Sequence, residues 1–267
     1  MLNDITIGQY FPLGSALHRC DPRLKLLAAI LFIVSVFLSN FISLGILAVF
    51  LVAAIVISRL PAKLFLRGFK TILPLLLFAS LLNIFYGDGD PLWQFWILKI
   101  TESGLLRAAT MIIRIVLLIS VSSLLTYTTS PTELTDGLER LFSPLKLIGL
   151  GQAVHITAMM MTLALRFIPT LLEETNKILS AQKARGADME SGNILKRVKA
   201  MLPILIPLLV SAFRRAGDLA EAMECRCYNG GKGRTKLKRL KFGSVDLFAA
   251  LLVVVVCGGA IAANYIF

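Results

Sequence analysis

Two stretches decide how this chain reads: Ala184-Arg185-Gly186-Ala187-Asp188 and Cys225-Arg226-Cys227-Tyr228-Asn229-Gly230-Gly231. Each closes a long run whose apolar stretch gives way to an amphipathic one, and each sets an arginine among small residues just ahead of turn formers. The pattern predicts helices over residues 151–185 and 193–227, both ending in an arginine. At 1.5 Å per residue the first would be about 50 Å long. Val154, Ile156, Met159, Met160, Met161 and Phe167 make its first half apolar on all sides. In its second half Ile168, Leu171, Leu172, Thr175, Ile178, Leu179 and Gln182 form one stripe, with Glu173, Glu174 and Lys177 read as lying away from it. The second helix starts basic (Lys196, Arg197, Lys199), is apolar over residues 201–213, and has Pro203 and Pro207 to bend it.

Arginine suits such an end for two reasons. A cation at a helix C-terminus is favoured by the macrodipole. A guanidinium also presents its donors in a fixed fork that matches carboxylates and carbonyls. Small neighbours leave room for that fork to enter a groove. The residues alone leave two roles open, docking into a partner and capping the helix.

The 267-residue chain is 57% hydrophobic and 16% charged, with a mean hydropathy of +0.78. Soluble domains are about half apolar and a quarter charged, so this is a polytopic membrane protein. Its formal net charge of +12 marks cytoplasmic loops, where Lys and Arg collect. No basic run is interleaved with aromatics, so nucleic acid is not expected as a partner. Residues 1–10 are polar and read as no cleaved signal peptide.

Taken in order, His18-Arg19-Cys20-Asp21-Pro22-Arg23-Leu24-Lys25 is a charged cuff, and Asp21-Pro22 is a helix start. Residues 26–58 suit two slightly short spans joined at Ser39-Asn40-Phe41. Residues 59–70 carry Arg59, Lys63, Arg67 and Lys70 without an acid and read as a cytoplasmic loop. A third span follows over 71–86, with Pro74 near its start. Then come the acidic loop Gly87-Asp88-Gly89-Asp90-Pro91 and the interfacial Trp93 and Trp96, and a fourth span over 105–127. Ser130-Pro131-Thr132-Glu133 is a capping box opening a short amphipathic helix over 130–143. After the two long helices, a basic linker over 230–241 leads to a last span over 242–267.

The expected fold class is therefore all-α. About five transmembrane helices are joined to a cytoplasmic-side domain of three amphipathic helices. Residues 1–129 hold the first four spans, 130–229 the amphipathic domain, and 230–267 the linker and last span. The loop charges put the N-terminus in the cytoplasm and the C-terminus outside.

Few residues invite chemistry. Arg107 and Arg114, seven apart in the fourth span, are expected in structural pairing, as is Arg166. Of the four cysteines, Cys20, Cys225, Cys227 and Cys257, the first three fall in expected cytoplasmic segments and are expected as free thiols. Cys225-x-Cys227 has no further Cys or His near it, so neither a metal nor another cofactor is expected. Met159-Met160-Met161 is adaptable packing surface. Gly230-Gly231-Lys232-Gly233-Arg234-Thr235 lacks the spacing of a phosphate loop, which argues against ATP binding. No catalytic set is placed.

Together these residues resemble the transmembrane T component of energy-coupling factor (ECF) transporters, which are ABC-type importers. The resemblance covers most of the chain and rests on five segments. They are Ile7-Gly8-Gln9-Tyr10, Ser15-Ala16-Leu17 with the cuff, Leu165-Arg166-Phe167-Ile168-Pro169, Ala181-Gln182-Lys183-Ala184-Arg185-Gly186, and residues 215–228. It implies a non-catalytic scaffold in a bacterial or archaeal cell membrane, with the amphipathic helices as its coupling domain. The scaffold would link two ABC ATPase subunits, expected as a heterodimer, to a membrane-embedded S component that captures vitamins or transition-metal ions. By that resemblance Ala184, Arg185 and Gly186, and Cys225, Arg226 and Cys227, dock the ATPases. Met159, Met160, Leu171, Leu172, Ile178 and Leu208 would face the S component. The competing class is a self-contained secondary transporter or membrane enzyme. One departure stands out: the family more often has glycine or another small residue at the place of Cys227. Without it the second helix is expected to run on to Gly230.

Overall fold

The structure, a computed structural model, describes residues 10–85, 91–95, 98–187, 194–230 and 242–266. Its helices are α1 (Ala16–Arg19), α2 (Pro22–Leu38), α3 (Phe41–Ser58), α4 (Ala62–Phe85), α5 (Glu102–Thr128), α6 (Pro131–Leu141), α7 (Gly151–Ala184), α8 (Ile194–Cys225) and α9 (Ser244–Ile266). A 3₁₀ turn, Ser143–Ile148, links α6 to α7. The described residues fall into two compact units, one within Gly8–Gly137 and Arg239–Phe267, the other within Leu138–Lys238.

The first unit packs α2, α3, α5 and α9 around Phe32, Val36, Leu44, Leu47, Val121 and Cys257. Small residues let these helices approach. Ser35, Ser43, Cys257 and Ala260 are all buried, and the Ser35 hydroxyl donates to its own helix, to Leu31 O at 2.8 Å. A buried hydroxyl that bonds within its own turn needs no water, as a bilayer requires. The outward faces stay apolar, with Leu27, Ile30, Val34, Phe37, Val49 and Val56 all exposed. The hydrophobic surface of this unit is thus built for lipid.

Six helices among the described residues, α3, α4, α5, α7, α8 and α9, are long and apolar enough to cross a bilayer. Helix α2, at 17 residues, spans about 25 Å, slightly short of the hydrocarbon core. Its start follows the sequence reading. Asp21 Oδ1 accepts the Arg23 N–H at 3.0 Å, and Pro22 occupies the first turn. The capping box of α6 also forms reciprocally. Glu133 N–H donates to Ser130 Oγ, and Ser130 N–H to the Glu133 carboxylate, both at 3.3 Å.

Three local expectations are corrected. The supposed loop over 59–70 is helical from Ala62, so α4 is one helix of 24 residues with Pro74 inside it. Lys63, Arg67 and Lys70 repeat at helical spacing and stay exposed, while Phe65 turns inward to meet Tyr127 edge-on at 5.7 Å. The basic run is therefore one polar face of a helix. The connection between α4 and α5 includes a two-stranded antiparallel hairpin, β1 (Pro91–Phe95) with β2 (Leu98–Thr101), in a fold otherwise helical among the described residues. The hairpin leads into α5, where Thr101 Oγ1 accepts the Gly104 N–H at 3.1 Å. A side chain at Gly104 would stand 2.7 Å from the Ile84 carbonyl, so glycine sets the closeness of α5 to α4. Third, Arg114 donates to the Ser39 carbonyl at the α2–α3 turn at 3.2 Å, while Arg107 is exposed. The two arginines share a helix face without sharing a partner. Residues 86–90, Trp96 and the basic stretch 231–241 lie outside the described residues.

Candidate functional site

The second unit is dominated by α7 and α8, which run antiparallel. Glu174 on α7 accepts hydrogen bonds from Ser211 Oγ and from Arg215 Nη2, the latter at 3.0 Å. Farther along the pair, the Gln152 amide lies 3.6 Å from where a side chain on Gly230 would start. At the beginning of α7, His155 Nδ1 and Glu139 Oε1 of α6 are 3.0 Å apart. Helix α7 runs through Pro169, and α8 through Pro203 and Pro207, without a break.

The expected α7 stripe (Ile168, Leu171, Leu172, Thr175, Ile178, Leu179 and Gln182) is half-buried throughout. On α8 the matching stripe is Ala200, Ile204, Leu208, Ser211, Arg215, Leu219 and Met223, in steps of four with a single step of three between Leu208 and Ser211. Glu174 was read as lying away from the stripe and does not. It falls three residues after Leu171 and four before Ile178, hence on their face. Its partners on α8 could not be seen from α7 alone.

The two arginine ends are built alike. In α7, Arg185 is the C-cap, Gly186 is left-handed at φ 82°, Gly186 N–H donates to Lys183 O at 3.0 Å, and Ala187 N–H to Gln182 O at 3.0 Å. This double closure is a Schellman end. In α8, Arg226 holds the same place. Cys227 is left-handed at φ 55°, its N–H donates to Glu224 O at 2.8 Å, and Tyr228 N–H donates to Met223 O at 3.0 Å. The expectation that α8 continues to Gly230 is therefore wrong. The helix stops at Cys225, and a cysteine takes the conformation in which glycine is easiest. The closing hydrogen bonds offset the cost of about 1–2 kcal/mol for an L-residue there.

Ala184, Arg185 and Gly186 are exposed, as are Cys225, Arg226 and Cys227. Arg185 precedes α8 and Arg226 follows it, so a helix of 32 residues, about 48 Å long, lies between the two guanidinium groups. All four cysteines are free thiols, Cys225 and Cys227 exposed and Cys20 and Cys257 buried.

The other sequence-derived candidates divide by exposure. Met160 is 61% exposed, whereas Met159, Leu171, Leu172, Ile178 and Leu208 are half-buried. The outward face of α8 is an apolar ridge: Met201, Leu202, Leu205, Leu209 and Phe213 are 46–70% exposed. That ridge follows helical spacing and was legible in the sequence, but only the position of α7 decides that it faces away from the pair.

A unit with a lipid-facing surface, joined to a pair of long helices with matched ends, defines a multi-pass helical membrane protein. The family described as "CbiQ: Cobalt transport protein" matches residues 14–237. Among similar proteins, an energy-coupling factor transporter transmembrane protein of Acidaminococcus fermentans is 50% identical over 95% of this chain and 94% of its own. Its counterpart in Ruminiclostridium cellulolyticum is 48% identical over 100% of both chains, and that of Bacillus subtilis 44% over 96% of both. The chain belongs to this family of energy-coupling transporter membrane proteins.

Proposed function

We propose that this chain is the energy-coupling membrane scaffold of an ECF-type importer. Two ABC ATPase subunits supply the work of ATP hydrolysis, and a membrane S component carries a vitamin or another micronutrient. The chain itself catalyses nothing. The observation that carries the docking assignment is the pair of matched helix ends, each with an exposed arginine at its C-cap, separated by the length of α8. Each end places a guanidinium fork clear of its own helix, where carboxylates or backbone carbonyls in a groove can meet it. Two ends so far apart suit two ATPase subunits better than one.

The apolar ridge of α8, with Met160 and the half-buried residues Met159, Leu171, Leu172, Ile178 and Leu208, is the surface for the S component. Charge in the loops favours a cytoplasmic N-terminus, an external C-terminus, and α7 and α8 on the cytoplasmic side. The charged residues Glu173, Glu174, Lys177, Arg214, Arg215, Asp218, Glu221 and Glu224 in their second halves support that placement. A self-contained secondary transporter is not favoured by the family.

The test is affinity purification in mild detergent from cells expressing the whole transporter. The wild type is expected to bring down two ATPase subunits and an S component. The Arg185→Ala/Arg226→Ala double variant is expected to keep the S component and lose the ATPases. Full retention of both ATPases by the double variant rejects the docking assignment.

A further inference from the structure

A polar node in the membrane unit takes no part in the contacts proposed above. Lys25, in the first turns of α2, is only 9% exposed. Its ammonium donates to the carbonyl oxygens of Thr128 at 2.9 Å and His18 at 3.2 Å. Thr128 is the last residue of α5, so the cation sits on a helix C-terminus, where it is favoured. Asp246, in the first turn of α9, is 5% exposed. Its carboxylate accepts the Asp21 N–H at 2.9 Å and the Gly243 N–H at 2.8 Å. Helix α6 is drawn into the same place. Glu133 adds its field at Lys25, and a side chain at Gly137 would meet Leu26 and Pro22 at 3.2–3.3 Å.

Burying an ammonium and a carboxylate is costly, and an apolar pair of similar volume often serves stability as well. Where the node lies along the chain supplies a reason for keeping it. The segment Leu138–Lys238, which carries both arginine ends, is joined to the membrane unit at its two ends. The chain departs past Thr128, through α6 to Gly137, and returns just ahead of Gly243 and Asp246. Lys25 fastens the departing segment to the start of α2, and Asp246 fastens the returning one to the same start.

We infer that Lys25 and Asp246 are positioning residues for energy coupling. They clamp both attachments of the α7–α8 segment to the first turn of α2. A displacement of α7 and α8 then reaches the spans as one movement. Without the clamp, the two connections would each give way separately and absorb it. This rests on the energy-coupling role proposed above.

The experiment uses the complete transporter in proteoliposomes, with radiolabelled riboflavin as the transported probe and an S component that captures it. The quantity read is ATP hydrolysed per riboflavin taken up, at equal amounts of assembled complex. Lys25→Met keeps length and packing but removes the donors. Asp246→Asn keeps one acceptor oxygen and loses a hydrogen bond. Lys25→Met is expected to raise the ratio about fivefold, and Asp246→Asn less, with hydrolysis per complex within about twofold of wild type. An unchanged ratio overturns the inference, whether both rates fall together or neither falls. If Lys25→Met fails to assemble, Asp246→Asn decides by the same ratio. If neither assembles, the node is a determinant of folding and the inference is overturned. Wild-type complex that hydrolyses ATP without importing riboflavin would instead reject the coupling role itself.

Discussion

The ends of α7 and α8 close with the same hydrogen bonds and present the same residue at the same place, yet the left-handed position that makes this possible is glycine in one and cysteine in the other. Gly186 enters that conformation at no steric cost, whereas Cys227 sets a side chain against the backbone. That the closure survives the exchange shows what holds such an end. Two backbone hydrogen bonds, from the first and second residues beyond the cap, outweigh the local preference of the residue between them. The presentation of the arginine is the common feature, and the turn residue is free to vary around it.

The largest expected effect tests whether both ends act. The double variant Arg185→Ala/Arg226→Ala should weaken ATPase binding at least about 100-fold, the scale expected when two interface anchors are removed. Binding is read by titrating purified ATPase subunits onto the membrane protein. Next, each single variant should cost about 10–30-fold in the same titration. A gap of more than tenfold between the two would break the equivalence of the ends despite their shared geometry.

Stability sharpens the contrast in opposite directions. Gly186→Val forces a β-branched residue into the left-handed region and should destabilise the end of α7 by about 1–2 kcal/mol. It should lower the temperature of unfolding in detergent. Cys227→Gly relieves the same strain and should stabilise by about 0.5–1 kcal/mol, read as a higher temperature of unfolding in detergent. A cysteine-to-glycine change that lowered stability would mean the Cys227 thiol makes a contact worth more than the strain.

The smallest effect separates the ends from the membrane unit. Burial lowers the pKa of His18, and the nearby Lys25 ammonium pushes the same way. The folded state thus favours neutral His18, and below about 6.5 the unfolded chain takes up a proton that the folded chain resists. Stability should therefore decline as pH falls from about 7 to about 5. His18→Gln should flatten that decline, and substitutions at either arginine end should leave it unchanged.

How much was legible follows from how far each signal reaches along the chain. Caps depend on residues three apart, so the α6 capping box and the Asp21-Pro22 start were readable and formed as expected. Apolar runs and the α7 stripe are periodic, and the stripe is half-buried as expected. The spans expected at α3, α4, α5 and α9 are among the six helices long and apolar enough to cross a bilayer. Those six also include α7 and α8 and leave out the slightly short α2. Loops marked only by charge were less secure, because Lys63, Arg67 and Lys70 suit a helix face as well as a connection. The 91–101 hairpin was missed because its pairing is a relation between two short runs, neither of which signals a strand strongly alone. The half-buried place of Glu174 was missed because its partners stand 37 and 41 residues away on another helix.

By itself the sequence determined a polytopic helical membrane protein, its long helices, the resemblance to energy-coupling transporters and the two arginines at the helix ends, because composition, period and short motifs are local quantities. Only the tertiary structure decided that Arg226 is presented like Arg185 without a glycine, since the closing hydrogen bonds override the residue's own preference. It alone also decided that α7 and α8 run antiparallel, clasped through Glu174, and that Lys25 and Asp246 gather α2, α5 and α9 at one node. Those contacts join residues far apart in the chain, and no local pattern carries them.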